Sequence, residues 1–433
     1  MQTFQVIAGC GVNRKLGDTI LVMPVFAIVM RSIIERSEEK TMSTGKLGIF
    51  SIAAIVTAAF AVAPVRAEES IRVGMILEMS GPFADIGRQI LDGARAYMKA
   101  NGDTVAGRRI ELIVRDTTGA APEIAKRQAQ QLIANDKVDF LAGFGLTPNA
   151  LAAAPLATAG KTPMIVMNAA TSIITTKSPY IARISFTLPQ ITAPIATWAM
   201  KNGIKEVYTL VSDYGPGIDA ETQFKKTFEA AGGRIAGDVR VPLRNPDFSP
   251  FLQRIKDAKP QAVFIFLPAG EQPVAFMKGF NERELDRAGI RLIATGDVTE
   301  DGTIEAMGDT PLGVVTSHHY SVAHDSAQNK AFLKAFADLD NAHRPNFMAV
   351  GGWDGMTAIY EVVRRLNGKL DGDKAMEVLK GLKLDSPRGP VTIDSETRDA
   401  IQTIYIRRVQ KVNGKLYNVE FEQVPNFKDP GKE

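Results

Sequence analysis

Short apolar strands alternate with amphipathic helices along most of this chain, and that rhythm constrains the fold more than any other feature. Ile71–Leu77 reads as a strand, and Ile86, Ile90, Ala94, Tyr97 and Met98 then recur at helical spacing. Arg109–Arg115, Val138–Ala142 and Pro163–Met167 are further strand candidates. Between them, one helix is expected from Pro122-Glu123 and another from about Pro148 to Ala159. The series restarts after Pro189. A helix runs to about Asn202, Glu206–Ser212 is a strand, and a helix carrying Phe224 and Phe228 stops at Gly232-Gly233. Strands at Ala262–Leu267 and Arg291–Thr295 flank a helix at Gln272–Phe280. Such alternation predicts parallel sheets covered by helices on both faces.

Two series predict two similarly built lobes. After Leu312–Tyr320 the remaining elements are helices at about Gln328–Asn341, Phe347–Leu366 and Lys374–Leu382, and strands near Val391–Ile393 and Ile401–Val409. They are too few for a third core, so they are expected to return and complete the first two. Residues 71–187 plus about 319–390 would form lobe 1, and 188–318 plus about 391–433 lobe 2. A chain that crosses repeatedly between lobes forms a hinge, and a hinge favours closure around a ligand.

The N-terminal part has a separate logic. Met42–Ala67 offers Lys46, an apolar run from Leu47 to Val62, and Val65-Arg66-Ala67. That is the pattern of a secretory signal peptide cleaved after Ala67. The run is short for a membrane span, which needs ~20 residues. Residues 1–41 are expected to be upstream sequence preceding the true start at Met42. The whole chain carries 51 Lys and Arg against 48 Asp and Glu; residues 1–67 hold seven and four of these, which leaves 44 of each. A balanced surface argues against a nucleic-acid partner. The single cysteine is Cys10, so the exported part is expected to have neither disulfides nor thiol chemistry.

Motifs for catalysis are missing. Ala159-Gly160-Lys161-Thr162 lacks the first glycine of a phosphate loop, since Pro155 stands there. Neither a dinucleotide-binding glycine pattern nor a nucleophile elbow is found. His318, His319 and His324 fit no zinc spacing. Neighbouring His318 and His319 would point opposite ways on a strand, and a cleft-edge position is expected for one of them. No cofactor and no metal are expected.

Ligands of open parallel sheets bind beyond the carboxyl ends of the strands. The expected tips are Met79-Ser80-Gly81-Pro82, Asp116-Thr117-Thr118, Gly143 to Pro148, and Asn168-Ala169-Ala170-Thr171 in the first series. The second series offers Asp213-Tyr214-Gly215-Pro216-Gly217, Pro268 to Glu271, and Gly296-Asp297. Hydroxyls ahead of helix N-termini suit an anion such as a carboxylate. Asp297 or Glu271 opposite would suit a zwitterion.

At these tips the sequence resembles the periplasmic solute-binding proteins of branched-chain amino-acid ABC importers, the Leu/Ile/Val-binding family. The resemblance rests on Ile71-Arg72-Val73-Gly74 with Met79-Ser80-Gly81-Pro82 and Gly93-Ala94; on Gly160-Lys161-Thr162-Pro163 before Asn168-Ala169-Ala170-Thr171; on Asp213-Tyr214-Gly215-Pro216-Gly217; and on Asp247-Phe248-Ser249. It implies a two-lobe type I α/β fold, each lobe a mainly parallel sheet flanked by helices. It also implies a monomeric, non-catalytic periplasmic protein that closes on a small solute and delivers it to an inner-membrane permease. A ligand-sensing module feeding a membrane receptor is the alternative.

Carried over by motif, the ligand carboxylate would be held at Thr147, Ala169, Ala170 and Thr171, with Ser80 in the first-strand loop. Tyr214 would face it across the cleft, Asp297 would receive an ammonium, and Trp353 would line the cleft from the late first-lobe helix. Leu146 stands where a hydroxyl is common, Ile86 where an aromatic often packs, and Ala269-Gly270 where bulky aromatics occur. These departures predict a wider, less polar pocket, suited to an aromatic carboxylate as well as to a hydrophobic amino acid.

Overall fold

A computed structural model describes residues 70–339 and 343–432. Met42–Ala67, Cys10 and residues 1–41 lie outside the described residues. The first strands and helices are β1 (Ile71–Leu77), α1 (Ala84–Asn101), β2 (Thr104–Val105), β3 (Arg108–Asp116), α2 (Pro122–Ala134), β4 (Phe140–Gly143), α3 (Thr147–Ala159), β5 (Met164–Val166) and β6 (Ile181–Arg183). They build a six-stranded sheet in the order β2-β3-β1-β4-β5-β6, parallel except at the β2 edge.

The chain then enters a second sheet through α4 (Leu188–Lys201), β7 (Glu206–Ser212), α5 (Gly215–Ala230), β8 (Arg234–Val241), α6 (Ser249–Ala258), β9 (Ala262–Phe266), α7 (Glu271–Glu282), β10 (Arg291–Thr295) and β11 (Val315–His318). β7 to β11 pair in parallel. Two helices, α8 (Ala327–Ala337) and α9 (Phe347–Arg365), return to pack on α1. After α10 (Gly372–Leu379), the strands β12 (Lys383–Ser386), β13 (Gly389–Ile393), β14 (Ala400–Val412) and β15 (Lys415–Phe427) extend the second sheet in antiparallel fashion.

The expected mixed α/β architecture of two helix-flanked sheets is therefore present. Its central strands read as continuous apolar runs because both faces are buried: every residue of β4, β5 and β9 is buried. α1 and α9 cross at glycines. A Cβ on Gly93 would lie 1.8 Å from the Ala349 carbonyl, and one on Gly352 would lie 2.0 Å from that of Ile90. Only backbone fits there, and this contact docks α9 on the first sheet.

Where the chain passes between the sheets, fully buried arginines tie the crossings. Arg183 pairs with Asp399 at 2.7 Å, and Arg388 with Asp354 at 3.1 Å. The Arg388 guanidinium also donates to the Ser185 carbonyl at 3.0 Å. Arg183 thus holds a structural position on the crossing strand.

Candidate functional site

One cavity gathers the carboxyl ends of strands from both sheets. Its lining includes Ile86 of α1, Gly145 to Thr147 after β4, Asn168 and Ala170 after β5, and Phe186 and Leu188 after β6. From the second sheet come Tyr214, Phe266, Ala269 and Asp297, and from the start of α9 comes Phe347. The space it encloses, its open mouth included, measures ≈ 340 Å³.

The first-sheet wall is formed by two strand tips tied to each other. β4 ends in two left-handed residues, Gly143 (φ 95°) and Phe144 (φ 63°), a conformation costly for a buried phenylalanine. They turn the chain so that α3 starts at Thr147, with its N-terminus toward the cavity. Helix N-termini favour anions. Thr171 Oγ1 donates to Thr147 Oγ1 at 3.0 Å, joining the two tips. Arg183 holds the second tip from behind, its Nη1 donating to the carbonyls of Thr171 (2.7 Å) and Ala169 (3.2 Å).

Glu78 lies beneath the first tip and accepts from Leu146 N–H at 3.2 Å and Asn149 Nδ2 at 2.7 Å. Burial pushes its carboxyl up to about 7, against the pull of these donors. A carboxyl that titrates near neutrality puts less than a full negative charge beneath this tip. Gly145 leaves room for it, since a Cβ there would meet Glu78 Oε2 at 2.1 Å.

The facing wall is aromatic and acidic. Tyr214 stacks on Phe266 with centroids 6.1 Å apart, and burial together with the Asp297 carboxylate raises its phenol well above the ordinary value. Gly215 permits close approach of the walls: a Cβ there would lie 2.7 Å from Thr171 Oγ1.

Four of the expected residues, Thr147, Ala170, Tyr214 and Asp297, come together as lining. Thr171 joins them through Thr147. Ala169 sits one residue behind, its N–H bonded to the Phe144 carbonyl at 2.9 Å. Ser80 and Trp353 are placed elsewhere. Ser80 is exposed and donates to Asp116 at 2.6 Å. Partial burial works to raise the Asp116 carboxyl, but donors from Ser80, Thr118 and Met79 hold it below the usual carboxylate range.

Trp353 packs edge-on against Tyr97 and Phe332, inside the α1–α8–α9 layer. The aromatic that α9 brings to the cleft is Phe347, six residues earlier. Asn346 caps the helix by accepting from Met348 N–H at 2.9 Å, which fixes Phe347 at its mouth. Phe186 was also missed; it follows a three-residue strand too short to leave a periodic signal. His318 and His319 do not point apart. β11 ends at His318, and both rings gather on Phe186, 4.9 and 4.8 Å from its centroid. Among the described residues no group of three His, Cys, Asp or Glu forms a metal site, and no helix is long and apolar enough to cross a membrane.

Two helix-flanked sheets with their strand ends converging on one cavity define the class of solute-binding proteins. The family described as "Periplasmic binding protein" matches residues 70–415, and the chain belongs to it. Leu/Ile/Val-binding protein homolog 6 of Brucella melitensis biotype 1 is 44% identical over 394 residues, covering 90% of this chain and 99% of the relative.

Among solved structures, the solute-binding protein of an ABC transporter from Rhodopseudomonas palustris BisB5, in complex with 3,4-dihydroxybenzoic acid, is 55% identical. Its TM-score is 0.82, and the match covers 84% of this chain and 100% of that one. A counterpart from Rhodopseudomonas palustris HaA2, in complex with p-hydroxybenzoic acid, is 45% identical at TM-score 0.82, with 84% and 99% covered. The protein is a solute-binding component of the ABC-transporter type, and such proteins are binders, not enzymes.

Proposed function

We propose that this protein captures an aromatic carboxylic acid, a hydroxylated benzoate in the first place, and delivers it to an inner-membrane ABC permease. The observation that carries this reading is the composition of the cavity: Ile86, Leu146, Phe186, Phe266 and Phe347 supply flat apolar walls, while Thr147, Ala170 and Thr171 supply an anion seat at a helix N-terminus. The complexes of the relatives with dihydroxy- and hydroxybenzoic acids support it.

In this reading the carboxylate rests on the tips at Thr147 and Ala169 to Thr171, and Tyr214 closes over the ring. The bodies built on the two sheets, near 71–187 with 319–390 and 188–318 with 391–433 but with β12 and β13 on the second, act as the closing lobes of a monomer. Met42–Ala67 directs the chain to the periplasm, with residues 1–41 upstream of the true start. A hydrophobic amino acid is the second reading; it is favoured by the name of the 44% identical relative and by Asp297 as an ammonium partner.

Calorimetric titration of the purified protein with 4-hydroxybenzoate, 3,4-dihydroxybenzoate, benzoate and leucine tests both. The expected result is tight binding of the aromatic acids and a melting point that rises with the logarithm of their excess. Binding of leucine alone would reverse the order of the two readings.

A further inference from the structure

Buried polar atoms in folded proteins are nearly always hydrogen-bonded, so a cluster of exceptions needs a reason. One such cluster lies behind the Asp297 end of the cleft. Both nitrogens of His318, both of His319, Oδ2 of Asp297 and Oγ of Ser317 are buried without a hydrogen-bond partner. The sheet brings them together: β10 and β11 are adjacent and parallel, one delivering Asp297 and the other ending at His318. Gly296 makes the juxtaposition possible, because a Cβ there would lie 2.0 Å from the Arg407 guanidinium and 2.5 Å from His318 Cβ. His318 Nε2 stands 3.7 Å from Asp297 Oδ2, too far for a hydrogen bond between them. The ring is held by Phe347 (4.3 Å) and Phe186 (4.9 Å), both of which line the cavity.

The charges around this end favour a neutral donor. Burial lowers His318 to about 4 against the pull of Asp297, and burial with the neighbouring His318, Arg388 and Arg407 pushes His319 well below the ordinary value. Both imidazoles are therefore neutral at pH 7, each with one N–H and one lone pair. The buried Arg407 guanidinium has Asp301, Glu420 and Asp297 as its countercharges. Asp297 is thus partly balanced from within the protein. An ammonium placed against it would meet the field of Arg407, whereas an uncharged hydroxyl would not. The 3.7 Å between Asp297 Oδ2 and His318 Nε2 is a separation that one hydroxyl oxygen, ~2.8 Å from each, would bridge, donating its proton to Asp297 Oδ2 and accepting from His318 N–H, if the ring hydroxyl reaches past the cavity lining to the buried His318.

We infer that Asp297, with His318 as its positioning residue, is the specificity element that reads a ring hydroxyl on the cargo. This rests on the aromatic-acid reading above and deepens it. It assigns Asp297 a neutral partner in place of an ammonium, and it gives the unpartnered histidine a role.

The test is a cycle between residue and ligand, in which the ratio of two affinities is read and not either one alone. Binding of 4-hydroxybenzoate and benzoate is measured for the parent protein, Asp297→Leu and His318→Phe. Circular dichroism and unliganded melting confirm that each variant is folded. The parent is expected to prefer 4-hydroxybenzoate by about tenfold or more, as sites built to bond a hydroxyl do. Asp297→Leu should bring the ratio near unity, and His318→Phe, which keeps the aromatic packing, should lower it several-fold. An undiminished ratio in folded Asp297→Leu overturns the inference while leaving the cargo class standing. If the parent binds leucine but neither benzoate, the cargo reading falls first and this inference with it. If His318→Phe alone leaves the ratio unchanged, the role of His318 is refuted.

Discussion

The two ends of the cleft are built on opposite principles. At the first-sheet end most of the wall is tied down, Thr171 to Thr147, both tips to Arg183 or Glu78, and Arg183 in turn to Asp399, with Glu78 Oε2 and Asn168 Oδ1 the buried atoms left over. At the Asp297 end, neighbouring polar groups are buried and left without partners. A satisfied network rigidifies and presents one geometry, whereas an unsatisfied one is costly until something completes it. The contrast suggests a division of labour: one end grips the group common to all cargo acids, and the other discriminates among them.

The largest test breaks the rigid end. Arg183→Met leaves Asp399 without its guanidinium and frees the carbonyls of Ala169 and Thr171. Removing one partner of a buried pair costs ~3–5 kcal/mol, an upper limit here because Asp399 keeps its Lys432 ammonium. Urea unfolding should show a loss of that order, with weakened binding of every acid tried. A variant as stable and as tight as the parent would mean that Arg183 does not support the seat.

A smaller effect follows from Glu78. Its folded carboxyl titrates at about 7, above the ordinary 4.5, so its contribution to stability is fully present below 4.5 and is lost as pH rises through 7. Glu78→Gln imitates the protonated form at all pH. It should stabilise the protein at pH 8 by up to ~3 kcal/mol and flatten the stability profile between these limits. Glu300, also raised by burial to about 7, keeps part of the slope. An unchanged profile would show that Glu78 is ionised in the fold.

The smallest effect sharpens the other side. His319→Phe removes two unpartnered nitrogens while keeping the stack on Phe186 at 4.8 Å. Stability of the unliganded protein, read from its melting, is expected to rise by ~1 kcal/mol or less. A fall would mean that the imidazole is satisfied in solution and that the two ends are less different than they look.

The sheets were legible because buried parallel strands write themselves as apolar runs, and the tips follow from where those runs stop. β8 was missed because it is an edge strand whose residues are mostly exposed or half-buried. The long β14–β15 hairpin was only half seen, although Asn413 (φ 50°) and Gly414 (φ 80°) form the Asn-Gly turn that marks such hairpins. Thr147, Ala170, Tyr214 and Asp297 were found because their positions are set by strand ends. Phe186, Phe347 and the His318 cluster were not assigned as site residues, since their meeting depends on how the two sheets face each other.

Arg183 and Asp399 stand 216 positions apart in the chain. A contact of that span forms only when nearly the whole polypeptide is available. A nascent chain ending before Asp399 already has β1 to β13, yet lacks the bolt that fixes the tip after β5. Competence to capture cargo therefore arrives at the end of synthesis, and a fragment released early should circulate as an idle scaffold instead of a competitor for solute.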